Sequence, residues 1–131
     1  MSNLENIINE AWENKDQVDP NSDQSLKDAI NQVINDLDSG KSRVAEKING
    51  EWKTHQHLKK AIMLSFRVYE NDILSGPYSV WRDRQNLLKG KTAGWTKEKF
   101  DKAGFRMVPN SPVRKGSFVG KDAVLMPCYV N

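Results

Sequence analysis

Cysteine is nearly absent from this sequence, since Cys128 is the only one in 131 residues. A single thiol excludes a disulfide framework or a cysteine-based zinc cluster within the chain, and it suits a reducing cytosol. Long apolar runs are also lacking: no stretch approaches about 18 apolar residues, so no transmembrane helix is predicted. The residues after Met1 lack the profile of a secretory signal. We therefore expect a cytoplasmic protein with no membrane partner.

Acidic residues are scarce in the C-terminal two thirds of the chain. Residues 41–131 hold eight acids against 18 bases, a balance of +10, whereas residues 1–40 hold nine acids against two lysines, a balance of −7. Such asymmetry is typical of two parts that attract each other, or of a basic part that meets a phosphate, a carboxylate or a nucleic acid. The basic part has no basic helix and no aromatic–basic motif of an RNA-binding sheet. We therefore expect no nucleic-acid partner.

Three segments within the first 70 residues carry the 3.6-residue spacing of amphipathic helices. The first follows a capping box at Ser2 and Glu5, and the second follows a cap at Ser25. Gly40 is predicted to stop the second helix, because glycine tolerates the left-handed conformation there. The third runs from about 55 to 69. We expect the three helices to share an apolar core built from Ile7, Trp12, Ile30, Ile34, Leu58 and Phe66.

Turn signals organise the middle of the chain. Asn49-Gly50 lies between two short alternating segments and predicts a β-hairpin, because both residues accept a positive φ. Residues 76–95 contain several glycines and no clear period, which predicts irregular structure. Thr96 is predicted to cap a short helix over 96–103, with Phe100 facing inward and Gly104 ending it.

A six-residue period appears in the last part of the chain. Val113, Val119 and Leu125 each open a hexad, and residues 119–124 fit the hexapeptide pattern of a β-helix at every constrained position. Each hexad forms one flat side of a triangular coil, with its aliphatic residue pointing to the axis. Three hexads make one coil, and one coil cannot bury its own apolar face. The three aliphatic residues are therefore predicted to be only half buried.

Several separated motifs resemble one family, the tetrahydrodipicolinate N-succinyltransferases. The resemblance covers nearly the whole chain and is broken only at 70–95. It rests on the segments Gly40 to Trp52, His55 to Ala61, Leu64 to Arg67 and Gly104 to Pro109, with Val113-Arg114 and Leu125 to Asn131.

The resemblance implies an α+β architecture. It consists of an N-terminal helical domain with a hairpin over 1–105, followed by the start of a left-handed parallel β-helix over 106–131, about one coil. Members of the family transfer succinyl from succinyl-CoA, the co-substrate, to tetrahydrodipicolinate on the route to diaminopimelate and lysine. They are homotrimers and hold no bound cofactor or metal. The acidic residues of the reaction lie in later coils, so no catalytic residue is expected in this segment, which alone is expected to be inactive.

Arg106 is the one site residue that the resemblance carries over, as an arginine that binds the dicarboxylate substrate. A guanidinium pairs a carboxylate through two parallel hydrogen bonds, although a surface arginine is the ordinary alternative. His55 and His57 are two apart, as a metal pair on a strand would be, but no third ligand is evident. Cys128 is interpreted as a packing residue rather than a nucleophile. Two other functions remain open: a non-catalytic assembly domain, and an acyltransferase for a related amino dicarboxylate.

Overall fold

A computed structural model describes residues 3–76, 78–84 and 90–131. Over these residues, helices and short strands alternate, and the strands form three two-stranded sheets. This mixed architecture confirms the α+β class in its coarse form. In chain order, the elements are α1 (Asn3–Glu13), a 3-10 turn (Lys15–Gln17), α2 (Gln24–Asp38), β1 (Ala45–Ile48), β2 (Glu51–Thr54), α3 (Gln56–Val68), β3 (Asn71–Ser75), β4 (Val80–Arg84), α4 (Lys97–Ala103), β5 (Arg106–Met107) and β6 (Val124–Leu125).

The helices α1, α2 and α3 pack around one apolar core. Ile30, Ile34 and Leu58 are buried in it as predicted, while Ile7 and Trp12 pack partly buried against its edge. Phe66 is half-buried and lines a cleft beside the core. The remaining buried members of the cluster are Ile8, Leu26, Ala29, Val33, Leu37, Ala61, Leu64 and Val68.

Helix α2 begins earlier than predicted. Asp23, not Ser25, is its N-cap residue, and Leu26 N–H donates to the Asp23 carbonyl at 3.1 Å. The reason is local, because the preceding turn closes when Asn21 N–H donates to Asp19 Oδ1 at 2.8 Å. Gly40 ends the helix with φ 76° as predicted. The predicted cap at Ser2 falls outside the described residues.

The hairpin predicted at Asn49-Gly50 is confirmed. Strands β1 and β2 pair antiparallel from Ala45–Thr54 to Ile48–Glu51. Asn49 and Gly50 have φ values of 51° and 88°, as a type I′ turn requires. Trp52 on β2 is 75% exposed and contributes nothing to the core.

The prediction of irregular structure over 76–95 is wrong in part. Strands β3 and β4 form a second antiparallel hairpin, closed by Gly76 N–H donating to the Ser79 carbonyl at 2.9 Å. Eight of the ten strand residues are exposed, and the other two are half-buried. The hairpin therefore has no buried face that would impose an apolar–polar alternation, which is why its sequence shows no strand period. Pro77 and residues 85–89, also within this prediction, lie outside the described part of the chain.

Two strands of the C-terminal segment pair in parallel. Arg106 lies beside Val124 and Met107 beside Leu125, eighteen positions further along the chain. This spacing equals three hexads, the number that the sequence pattern assigns to one coil of a β-helix. Strand β5 lies ahead of the 113–131 hexads in the chain.

Val113 departs from its predicted half-burial, whereas Val119 and Leu125 are half-buried. Val113 is only 4% exposed. The turn at Gly90 and Lys91 lies against it, and Lys91 N–H donates to the Val113 carbonyl at 2.8 Å. The hexad pattern could not predict this burial, because the turn that covers Val113 lies outside the hexads.

Candidate substrate-binding site

Backbone hydrogen bonds to residues 122–125 fix the position of Arg106 on β5. Arg106 N–H donates to the Ala123 carbonyl at 2.9 Å, and Val108 N–H donates to the Leu125 carbonyl at 3.0 Å. Asp122 N–H donates to the Gly104 carbonyl at 2.7 Å just before the strand. The strand is therefore held by a ladder, and the Arg106 side chain extends from a rigid backbone.

An aromatic cluster supports the same strand from the inside. Phe105 is buried, with its ring centroid 5.8 Å from that of Trp95 and 5.9 Å from that of Phe100. Helix α4 supplies Phe100, and its ends are those predicted: Thr96 Oγ1 accepts from Lys99 N–H at 3.4 Å, and Gly104 adopts φ 72°. Because side chains alternate along a strand, burial of Phe105 turns Arg106 outward.

The guanidinium of Arg106 is exposed and available to a ligand. Within the described ranges, no carboxylate and no carbonyl pairs with it. A free, always-charged guanidinium on a fixed strand is a suitable partner for a substrate carboxylate, through two parallel charge-assisted hydrogen bonds.

The two histidines serve as links between elements. His55 is the N-cap residue of α3, and its Nε2 lies 2.7 Å from Glu46 Oε1 on β1. His57 lies within α3, and its Nδ1 lies 3.7 Å from Glu5 Oε1 on α1. The pair does not share a strand face as the metal interpretation assumed. In the part of the chain that the structure describes, no group of three His, Cys, Asp or Glu side chains is placed to hold a metal ion.

Cys128 is the last of the residues that the sequence singled out. It is exposed in the structure, so its interpretation as a packing residue is wrong.

Sequence reasoning missed a clasp that joins the helical region to the C-terminal segment. Lys91 Nζ lies 3.1 Å from Asp38 Oδ2 and donates to the Asp38 carbonyl at 2.7 Å, while Gly116 N–H donates to Asp38 Oδ1 at 2.9 Å. The Lys91 side chain is 5% exposed. The only signal for it in the sequence was the opposite net charge of residues 1–40 and residues 41–131, which indicates that the two parts attract each other.

A second missed link holds the β3–β4 hairpin against the C-terminal segment. Arg114 forms an ion pair with Asp83 on β4, and its Nε donates to Tyr129 Oη at 2.7 Å. Asp83 lies directly across from Asp72 in the hairpin register, where two like charges repel. Arg114 therefore supplies the cation that this cross-strand pair needs.

None of the helices over residues 3–76, 78–84 and 90–131 has the length and apolar character to cross a bilayer.

Comparison with known proteins agrees with the resemblance in the sequence. Residues 3–68 match the family described as Tetrahydrodipicolinate N-succinyltransferase N-terminal. Curated relatives named 2,3,4,5-tetrahydropyridine-2,6-dicarboxylate N-succinyltransferase align along the chain. The relative from Pelagibacter ubique is 66% identical over 131 residues, covering 100% of this chain and 48% of its own length. Those from Actinobacillus succinogenes and Dechloromonas aromatica are 50% and 51% identical, covering 100% and 98% of this chain and 47% and 46% of their own lengths. The chain thus spans about half the length of the relatives that it matches.

Proposed function

Because this chain belongs to the tetrahydrodipicolinate N-succinyltransferase family, we propose that it is the N-terminal part of an enzyme that transfers succinyl from succinyl-CoA to tetrahydrodipicolinate. Residues 1–105 are its helical domain, and residues 106–131 begin a left-handed parallel β-helix. The eighteen-residue offset between β5 and β6 supports the second assignment, since three hexads close one coil of such a solenoid. The proposal includes a cytoplasmic homotrimer without a bound cofactor.

The proposed reaction forms an amide and breaks a thioester. Hydration of the cyclic imine of tetrahydrodipicolinate and opening of its ring expose an amine. Nitrogen attacks the thioester carbonyl of succinyl-CoA, the thiolate of coenzyme A leaves, and the amine proton passes to a base. The products are an N-succinyl-amino-oxopimelate and coenzyme A. None of the residues 1–131 is assigned to the proton transfer.

Within this reaction, Arg106 is proposed to bind one carboxylate of tetrahydrodipicolinate. The observation that carries this role is the exposed guanidinium without a protein partner, on a strand held by the ladder and by Phe105. Its contribution is to orient the substrate, because a bidentate contact fixes direction as well as distance. The positive charge also matches one of the two carboxylates.

The test uses a protein of the relatives' full length that carries these 131 residues. Arg106→Ala should raise KM for tetrahydrodipicolinate strongly, since loss of a charge-assisted pair costs roughly 2–5 kcal/mol when the partner charge stays buried. KM for succinyl-CoA should stay unchanged. Arg106→Lys should recover only part of the loss, because an ammonium lacks the planar fork. The control is Arg82→Ala, which removes an exposed arginine from β4. An unchanged KM for tetrahydrodipicolinate in folded Arg106→Ala would refute the assignment.

A further inference from the structure

Three lysines from separate parts of the chain meet in one cleft, which we call the lysine cleft. Lys91 comes from the turn after Gly90, Lys99 from α4, and Lys115 from the coil. The cleft has a volume of about 400 Å³. Its other lining residues are Asn35, Asp38, Gly90, Ala93 and Trp95.

The cleft carries more positive charge than its own carboxylate balances. Asp38 is engaged by Lys91 at 3.1 Å and by Gly116 N–H at 2.9 Å. Lys99 and Lys115 form no ion pair with any carboxylate in the described part of the chain. Two lysines without a carboxylate partner therefore line a concave surface, where like charges repel and the concave shape concentrates the field. An anion with two negative charges would relieve this repulsion.

The indole of Trp95 restrains two of these lysines. Lys99 Nζ lies 4.8 Å from the ring centroid and Lys91 Nζ lies 5.8 Å from it. The ring is itself held by Phe100, whose centroid is 5.2 Å away. Cation–π contacts of this kind limit how far a lysine side chain can swing into solvent. The cationic groups are thus partly preorganised before any ligand arrives.

We propose that the lysine cleft binds a phosphate monoester dianion. A lysine ammonium binds phosphate as a point charge. A phosphate monoester concentrates two negative charges on one group, which suits several ammonium groups that meet in one cleft. The cleft contains no arginine among its lining residues. It is also separate from Arg106, which is not one of those residues. The site thus differs in chemistry and place from the one assigned to the dicarboxylate.

The phosphate could be carried by a small phosphorylated metabolite or by coenzyme A through its 3′-phosphate. The second source rests on the proposed function, because only that function brings coenzyme A to this protein. The first source does not depend on it. Both share the same dianionic group, so a single binding measurement with added competitors separates them.

The experiment titrates the 131-residue chain with glycerol 3-phosphate and follows the Trp95 indole N–H signal by NMR at constant ionic strength. Trp95→Phe identifies the signal. We expect saturable shifts, and each of Lys99→Met and Lys115→Met should weaken binding about five-fold or more. Lys102→Met is the matched control, because Lys102 is exposed on the same helix but does not line the cleft. It should bind as the unaltered chain does.

Competitors then decide the ligand class and its source. Glutarate, a dicarboxylate with the same charge, should bind more weakly than glycerol 3-phosphate. Displacement by coenzyme A but not by 3′-dephospho-coenzyme A would support the site and assign the phosphate to the coenzyme. Displacement by neither would support the site with a separate metabolite, and would leave the acyltransferase proposal to the Arg106 test. The proposal would be overturned if no shift appeared at tens of millimolar glycerol 3-phosphate, or if chloride gave the same shifts. It would also be overturned if glutarate bound more tightly than glycerol 3-phosphate, or if Lys102→Met weakened binding as much as Lys99→Met and Lys115→Met do.

Discussion

The clasp at the end of α2 offers a direct test of how the helical region is joined to the C-terminal segment. Replacing Asp38 by Ala removes the carboxylate that receives Lys91 Nζ and Gly116 N–H. Lys91 would then remain in a site where its side chain is 5% exposed, with its counter-charge gone. Its hydrogen bond to the main-chain carbonyl of residue 38 at 2.7 Å would persist, because that group does not depend on the side chain.

The expected cost follows from these contacts. Removing one partner of a buried ion pair typically costs about 3–5 kcal/mol, because a charge is left buried and unpaired. Two features reduce it here: the Asp38 side chain is 23% exposed, and an acid near a helix C-terminus is itself unfavourable by about 0.3–1 kcal/mol. We therefore expect Asp38→Ala to lower the free energy of unfolding by about 2–3 kcal/mol.

Matched variants separate the clasp from helix effects. Asp36→Ala removes an acid from the same helix end, but its partner Lys41 is 70% exposed, so the loss should stay below about 1 kcal/mol. Lys91→Met removes the buried charge itself, and should cost less than Asp38→Ala, because no buried charge is left unpaired.

Urea denaturation measures the free energies, and hydrogen exchange at Gly116 N–H should be faster in Asp38→Ala. Equal costs for Asp38→Ala and Asp36→Ala would refute this account of the clasp.

Three further predictions concern local elements. Gly50→Ala should lower the free energy of unfolding by about 1 kcal/mol in urea denaturation, because Gly50 has φ 88° while no atom lies within 4 Å of an added Cβ; no loss would contradict the turn. Arg114→Met should speed amide exchange in β3 and β4 by leaving Asp72 opposite Asp83 uncompensated, and Asp72→Asn should restore it. The pKa of Glu98 is lowered from 4.5 by its own backbone N–H and then by the Thr96 hydroxyl; since the folded pKa is the lower one, this stabilisation of α4 is present above 4.5 and is lost as pH falls through the folded pKa. NMR titration of the Glu98 carboxyl checks it, and a midpoint at or above 4.5 would count against it.

Short stretches of sequence are enough to predict part of the fold and of the candidate site. The Asn49-Gly50 turn, the Thr96 cap and the Gly104 stop depend on the backbone preferences of one or two residues, and each was predicted from those residues alone. The apolar faces of α1, α2 and α3 follow from the 3.6-residue spacing of their apolar residues. Arg106 came from the family resemblance, since an exposed arginine has no local signature.

Tertiary structure alone decided the contacts between distant segments. Asp38 meets Lys91 and Gly116 across sequence separations of 53 and 78 residues, and no periodicity encodes such a pairing. The β3–β4 hairpin escaped prediction because its exposed faces impose no alternation. Its two opposed acids are balanced by Arg114, which lies 31 residues from Asp83. Hydrophobic periodicity and local backbone preference thus act within reach of a few residues and can be predicted, whereas charge pairing depends on which segments the completed fold brings together.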